Sequence, residues 1–180
     1  MRINVFTCGV FDLFHYGHLD FLLRARELGD RLIVGVNADD YVVRKKGHPP
    51  IFPLRERMMI VNALECVAEV RPFWEDDPCA LLRRLVGKPQ RYFAAGDKGV
   101  RWIVAKGSEY THANAPEAAL IESLGGTFVT LDSLPIHSSE LLARLVRVPM
   151  KPLRCRCGFP ETINNLFNCG HEQNCPCFTD

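Results

Sequence analysis

The first forty residues change hydrophobic period twice. From Ile3 to Cys8 the chain is a continuous apolar run of strand length, and from His18 to Leu28 apolar residues (Leu19, Leu22, Leu23, Ala25, Leu28) recur at helical spacing until "GD" ends the pattern. "RLIVGVN" then reads as a strand buried on both faces. Strand, helix and strand within so short a span form a βαβ unit, whose right-handed crossover sets the second strand parallel to the first. The alternation continues with a helix from about Leu54 to Glu65, a strand at "EVRPF", a helix from Pro78 to Val86 and a strand at "RYFAAG". A helix from Ala115 to Leu124, a strand at "TFVTL" and a last helix from Ser138 to Val146 complete it. The expected fold is α/β, an open, mostly parallel Rossmann-like sheet with helices on both faces.

The periodicity stops at "VPMKP", Val148 to Pro152, where two prolines end the helical pattern. The expected division is therefore a main domain over 1–148 and a small Cys/His-rich tail over 149–180. At 180 residues the chain can build one full-sized domain and a small appendage. Its 47% hydrophobic and 24% charged residues, with a net charge of +1, are ordinary globular values, so charge gives no pointer to a nucleic-acid or membrane partner. "MRINVFTCGVF" lacks the form of a signal peptide and no run reaches membrane-helix length, which makes the cytoplasm the expected location.

In an open parallel sheet, ligands bind beyond the carboxyl ends of the strands, where loops meet helix N-termini. "CGVFDLFHYGH" occupies that place after the first strand. Gly9 and Gly17 allow backbone to approach a ligand closely, and the free N–H groups of a helix mouth attract an anion, most simply a phosphate. His15 and His18 could each donate a hydrogen bond to phosphate oxygens and stabilise the charge that develops on a phosphorus under attack. The structural alternative has one histidine capping the loop and the other packing. A metal site is a third reading, but no nearby carboxylate cluster completes a coordination sphere.

"GVFDLFHYGH" resembles the signature of the cytidylyltransferase-like nucleotidyltransferase superfamily, in which a G-x-F-D-x-x-H-x-G-H segment binds the nucleotide triphosphate. "ARELGDRLIVGVNADDYVVRKKG", "PIFPLRERMMIVNALECV" and "FWEDDPCALLRRL" are similar to successive blocks of bacterial heptose-phosphate adenylyltransferases, and more distantly of glycerol-phosphate and ethanolamine-phosphate cytidylyltransferases. The resemblance covers roughly Ile3 to Val146. It implies nucleotide binding by Gly9, Phe11, Asp12 and Gly17, with Asp12 holding the loop, and catalysis by His15 and His18. Lys46, in "RKKG", matches a family lysine that reaches phosphates, with Arg44 and Lys45 as alternatives in register. Arg57 matches an arginine near the nucleotide phosphates.

"RYFAAGDKG" falls where the family has a strand and a G-D motif near the acceptor or base, which implies roles for Gly96 and Asp97; a plain strand-end turn is the alternative. "KGSEY", Lys106 to Tyr110, resembles the same block about ten residues later. "PIHSSELL" matches a segment whose hydroxyls hold triphosphate oxygens at the last helix, implicating Ser138 and Ser139, although a serine there also serves as an N-cap. Many cytidylyltransferases carry "RTEG" before this segment. This chain reads "DSLPIH" instead, with His137 the residue able to replace those contacts. The stretch from Lys98 to Pro116, longer than in its relatives, is expected to be a loop whose Tyr110, His112 and Asn114 shape the acceptor pocket.

The tail supplies Cys155, Cys157, Cys169, His171, Cys175 and Cys177, a density of soft ligands that suits a structural Zn²⁺. The tight C-x-C pairs leave the ligand set open, and disulfides, an iron–sulfur cluster or no metal are the alternatives.

Taken together, the resemblance implies transfer of a nucleoside monophosphate from an Mg²⁺-bound NTP to a small phosphorylated acceptor with release of pyrophosphate. ATP with a sugar phosphate comes first, and CTP with a polyol or amino-alcohol phosphate second. It also implies a homodimer. The contrasting expectation is a catalytically silent nucleotide-binding scaffold that acts through the tail.

Overall fold

The computed structural model describes residues 1–87, 99–132, 134 and 138, all within the unit Met1–Ser138. The chain runs β1 (Arg2–Gly9), α1 (Tyr16–Glu27), β2 (Arg31–Asn37), α2 (Asp39–Lys46), α3 (Leu54–Asn62), β3 (Glu69–Phe73) and α4 (Cys79–Val86). It continues with β4 (Val100–Gly107), α5 (Pro116–Ser123) and β5 (Thr127–Leu131). The strands form one five-stranded sheet in the order β3-β2-β1-β4-β5, with every neighbouring pair parallel.

Because successive side chains of a strand point to opposite faces, a two-faced apolar sheet must bury both. Phe6, Ile33, Phe73, Trp102 and Val104 pack on one side with Leu81, Leu82 and Leu85 of α4 and Ala118 and Ile121 of α5. Val5, Leu32, Val34, Val36 and Ala105 pack on the other with Leu22 and Ala25 of α1 and Val61 of α3. Helices therefore cover both faces, as the alternating pattern predicts. Among the described residues, no helix is long and apolar enough to cross a membrane.

The first crossover is tightly drawn. Asp30 N–H donates to Ile3 O at 2.8 Å, and Ile3 N–H donates to Asp30 Oδ2 at 2.7 Å, so the end of α1 is tied to the start of β1. Gly29 sits against that seam: a Cβ there would meet Ile3 Cγ2 at 2.7 Å and Ile3 O at 2.8 Å.

Two elements differ from expectation. "DDYVVRKK" is helix α2, which closes on Gly47 in the left-handed conformation at φ 76°, an element absent from the expected alternation. More consequentially, the stretch from Lys98 to Pro116 is not a long loop, because it contains β4, which pairs with β1 from Arg2↔Val100 to Phe6↔Val104. Its "WIVA" core is apolar because the strand is covered on both faces. The strand expected at "RYFAAG", the last helix, the boundary at Val148 and the whole cysteine tail lie outside the described residues.

Candidate functional site

The chain travels from β1 through β2 to β3 in one direction, then returns to lay β4 on the other side of β1. This reversal opens a crevice beyond the carboxyl ends of β1 and β4, the place where open parallel sheets bind ligands.

The loop that enters this crevice, Val10 to Phe14, is strained. Phe11 and Leu13 have φ of 53° and 45°, conformations uncommon for residues with side chains and found preferentially at functional sites. Its folding is held from three directions. The Phe11 side chain is buried in the α1/α3 core, and its ring fills the space where a Cβ on Gly9 would stand, 3.2 Å away. Asp12 accepts from its neighbour's N–H, Leu13, at 3.1 Å and from the Ile51 and Phe52 N–H groups at 2.8 and 3.0 Å. Ser138 Oγ donates to Asp12 O at 2.9 Å. Asp12 thus pins the loop between α2 and α3 to the β1–α1 loop. Gly9 and Phe11 pack against each other, and the Ser138 hydroxyl is directed to this backbone.

His15 is the N-cap of α1, with extended backbone at φ −137°, and Gly17 is buried in the first turn. His15 N–H donates to His18 Nδ1 at 3.4 Å. The two imidazoles stack with centroids 3.8 Å apart and planes inclined by 21°. The Phe11 and Phe14 rings each lie 5.4 Å from the His18 ring. Burial, then the neighbouring His15 and Lys46 charges, lower the His18 pKa to about 4, with Asp12 opposing. His18 is consequently neutral at pH 7, and with Nδ1 accepting from backbone its proton resides on Nε2. A neutral imidazole fixed in that tautomer is a hydrogen-bond donor that holds its proton throughout the physiological range.

The basic segment at the end of α2 divides its labour. Arg44 pairs with Asp76 at 2.8 Å and donates to Trp74 O at 3.0 Å, while Lys45 lies 5.9 Å from the Tyr41 ring centroid. Lys46, which is exposed, is the one whose charge acts on His18.

Arg57 requires a correction. Expected near nucleotide phosphates, it is 0% exposed and donates through Nε to Phe52 O at 2.9 Å, through Nη1 to Val10 O, and through Nη2 to Asn37 O at 2.8 Å and Asp39 Oδ1 at 2.6 Å. The guanidinium fork is spent on protein carbonyls and a carboxylate, so it clamps the loops after β1, β2 and α2 rather than reaching a ligand. His112 and Asn114, expected to shape a pocket, are likewise engaged: His112 Nε2 lies 2.9 Å from Glu122 Oε1, and Asn114 Oδ1 accepts from Thr111 N–H at 2.6 Å. Gly96, Asp97, His137 and Ser139 lie outside the described residues.

A cluster that the motifs do not announce stands at the same crevice. Lys106, at the end of β4, is paired with Glu117 of α5 at 3.0 Å, with side chains only 7% and 3% exposed. Its one sequence signal is "KGSEY", and the acidic partner lies beyond the next loop.

A parallel sheet reversing at β1, with a strained loop and a histidine pair set over the reversal at a helix mouth, defines an α/β protein with the Rossmann-like nucleotidyltransferase fold. The chain belongs to the cytidylyltransferase-like family, whose model matches residues 6–144. It is 43% identical over 138 residues to the bifunctional protein HldE of Streptomyces coelicolor, an alignment covering 76% of this chain and 27% of that protein. The HldE protein of Klebsiella pneumoniae is 41% identical over 127 residues, covering 70% and 26%. The chain therefore spans about a quarter of the length of these relatives. Among solved structures, the lipopolysaccharide core biosynthesis protein of Thermoplasma volcanium superposes with a TM-score of 0.57 at 26% identity, over 74% of this chain and 99% of that one. NadR in complex with NAD and AMP-PNP shares the fold, with a TM-score of 0.51 at 18% identity, over 82% and 42%.

Proposed function

We propose that the chain catalyses nucleotidyl transfer: a phosphate oxygen of a small phosphorylated acceptor attacks the α-phosphorus of an NTP, forming the new P–O bond as the bond to the β-phosphate bridging oxygen breaks and pyrophosphate leaves. The observation that carries this reading is the stacked His15–His18 pair at the mouth of α1. The Nε2–H of a permanently neutral His18 supplies a fixed donor to an oxygen that gains charge in the transition state, where such donors act most strongly. Lys46 supplies a mobile positive charge beside it. Asp12 and Arg57 touch no reacting atom and act by holding the loops.

ATP with a sugar phosphate is the preferred pair, supported by the similarity to heptose-phosphate adenylyltransferases. The missing "RTEG" weighs against a cytidylyltransferase. Mg²⁺ would enter here as part of the substrate, bound to the triphosphate. Its charge offsets that of the leaving pyrophosphate. The six soft side chains of the tail are proposed to hold structural Zn²⁺, which metal analysis of the purified chain would detect as roughly one ion per chain. A homodimer and a cytoplasmic location complete the proposal; sedimentation tests the first.

The decisive experiment measures pyrophosphate release with ATP and with CTP against a panel of hexose, heptose, glycerol and ethanolamine phosphates. The proposal expects turnover with ATP and a sugar phosphate. Calorimetric nucleotide binding without turnover on any acceptor would favour the scaffold reading, which the burial of Arg57 and the altered "PIHSS" segment keep in play.

A further inference from the structure

Lys106 is a cation placed where burial penalises it. Its Nζ lies 3.0 Å from Glu117 Oε1, 3.3 Å from Cys8 Sγ and 4.2 Å from the centroid of the Tyr110 ring. Burial disfavours the Lys106 charge, yet Cys8, Glu117 and Tyr110 raise its pKa above the ordinary lysine value, so the ammonium persists. Buried ion pairs seldom add net stability, because desolvation consumes what attraction supplies, and apolar replacements are often as stable. Such a pair is better understood by what it orients.

What it orients is at the crevice. Cys8 and Lys106 stand at the carboxyl ends of β1 and β4, the strands that flank the switch point, and Glu117 opens α5. The short connection between them is ordered by its own hydrogen bonds: Tyr110 N–H to Gly107 O at 3.0 Å, Asn114 Nδ2 to Glu109 O at 3.2 Å, and Ala115 N–H to Thr111 O at 3.0 Å. Tyr110, half-buried, is the member of this connection laid on the ammonium. The histidine pair stands at the mouth of α1, after β1, and Tyr110 stands just after β4, over Lys106.

We propose that the buried Lys106–Glu117 pair is a positioning device that holds Tyr110 over the carboxyl ends of β1 and β4, where its ring and hydroxyl form a wall of the acceptor site. Lys106 and Glu117 touch no substrate; Tyr110 does. The proposal rests on the nucleotidyltransferase reading, and its test separates the two.

Kinetics with Mg·ATP and the best acceptor of a hexose and heptose 1-phosphate panel are compared for the wild type, Lys106→Met/Glu117→Met, Tyr110→Leu and Tyr110→Phe. The double variant replaces the pair with apolar volume and should fold. It and Tyr110→Leu are expected to raise the acceptor KM about tenfold or more while the ATP KM stays within about twofold. Tyr110→Phe, which keeps the ring on the ammonium, should recover most of that loss. An acceptor KM unchanged in Tyr110→Leu, or the two KM values rising in step, overturns the proposal. Should the wild type turn over no acceptor, the functional reading fails by itself, and amide hydrogen exchange decides the positioning role. The double variant should then exchange about tenfold faster at Tyr110 and Ala115 but not at His18, and unchanged protection at Tyr110 and Ala115 refutes it.

Discussion

At the scale of single residues, His18 is defined by the proton it keeps. Its folded-state pKa of about 4 lies below the ordinary 6.5, so the unfolded chain binds more protons than the folded one between those values. Stability is therefore fully present above pH 6.5 and is lost as pH falls towards 4. His18→Phe should flatten that part of a pH–denaturation profile, whereas an unchanged slope would show that the ring is not desolvated in solution. In catalysis, His18→Ala is expected to lower kcat by about 10²–10³, the effect of removing one transition-state donor, and also to lower the melting temperature, because the ring contacts and the capping bond from His15 N–H are lost. Pyrophosphate release checks it, and activity undiminished in the variant would remove His18 from the mechanism. Asp12→Ala strands the Ile51 and Phe52 N–H groups and should raise the ATP KM while costing about 1–3 kcal/mol in chemical denaturation. The histidines and Asp12 were legible in the sequence because their spacing is local to one strand–helix junction. Lys106 was not, because its meaning depends on Cys8, Tyr110 and Glu117, which only folding assembles.

At the scale of elements, the loops around the crevice are one mechanical unit, and Arg57 is what unites them. Arg57→Met leaves the Val10, Asn37 and Phe52 carbonyls and the Asp39 carboxylate without their shared donor, and should destabilise the protein by about 1–3 kcal/mol in urea unfolding. A loss of nucleotide affinity with stability intact would instead return Arg57 to the ligand. The motif "RERMMI" located this arginine near the site but could not say which way its side chain turns, since that depends on carbonyls from distant loops. Strand β2 could be read to the residue because it is an apolar run buried from Leu32 to Asn37, and the half-buried edge strands β3 and β5 because each is a short run closed off by the residues around it. Helix α2 escaped notice because only Val42 of its residues is buried, so no apolar stripe marks it. β4 was not marked because Val100–Gly107 falls inside the stretch that reads as a loop over Lys98 to Pro116.

At the scale of the whole molecule, two apolar layers share one parallel sheet, and the seam at Gly29 sets how closely the first helix can return. Gly29→Ala puts a methyl group into Ile3 and should cost about 1–3 kcal/mol, visible as a lowered urea midpoint with an unchanged m-value. The order β3-β2-β1-β4-β5 also has a consequence for how the chain comes into being on the ribosome. β1 is made first, yet one of its edges pairs with residues Val100 to Val104, which at about 5–20 residues per second emerge many seconds later. Until then the nascent half carries an open strand edge bearing Val5 and Phe6, the kind of edge that recruits other chains. Because the central strand is synthesised long before its neighbour, aggregation of the nascent chain is expected to be greatest when elongation stalls between α4 and β4.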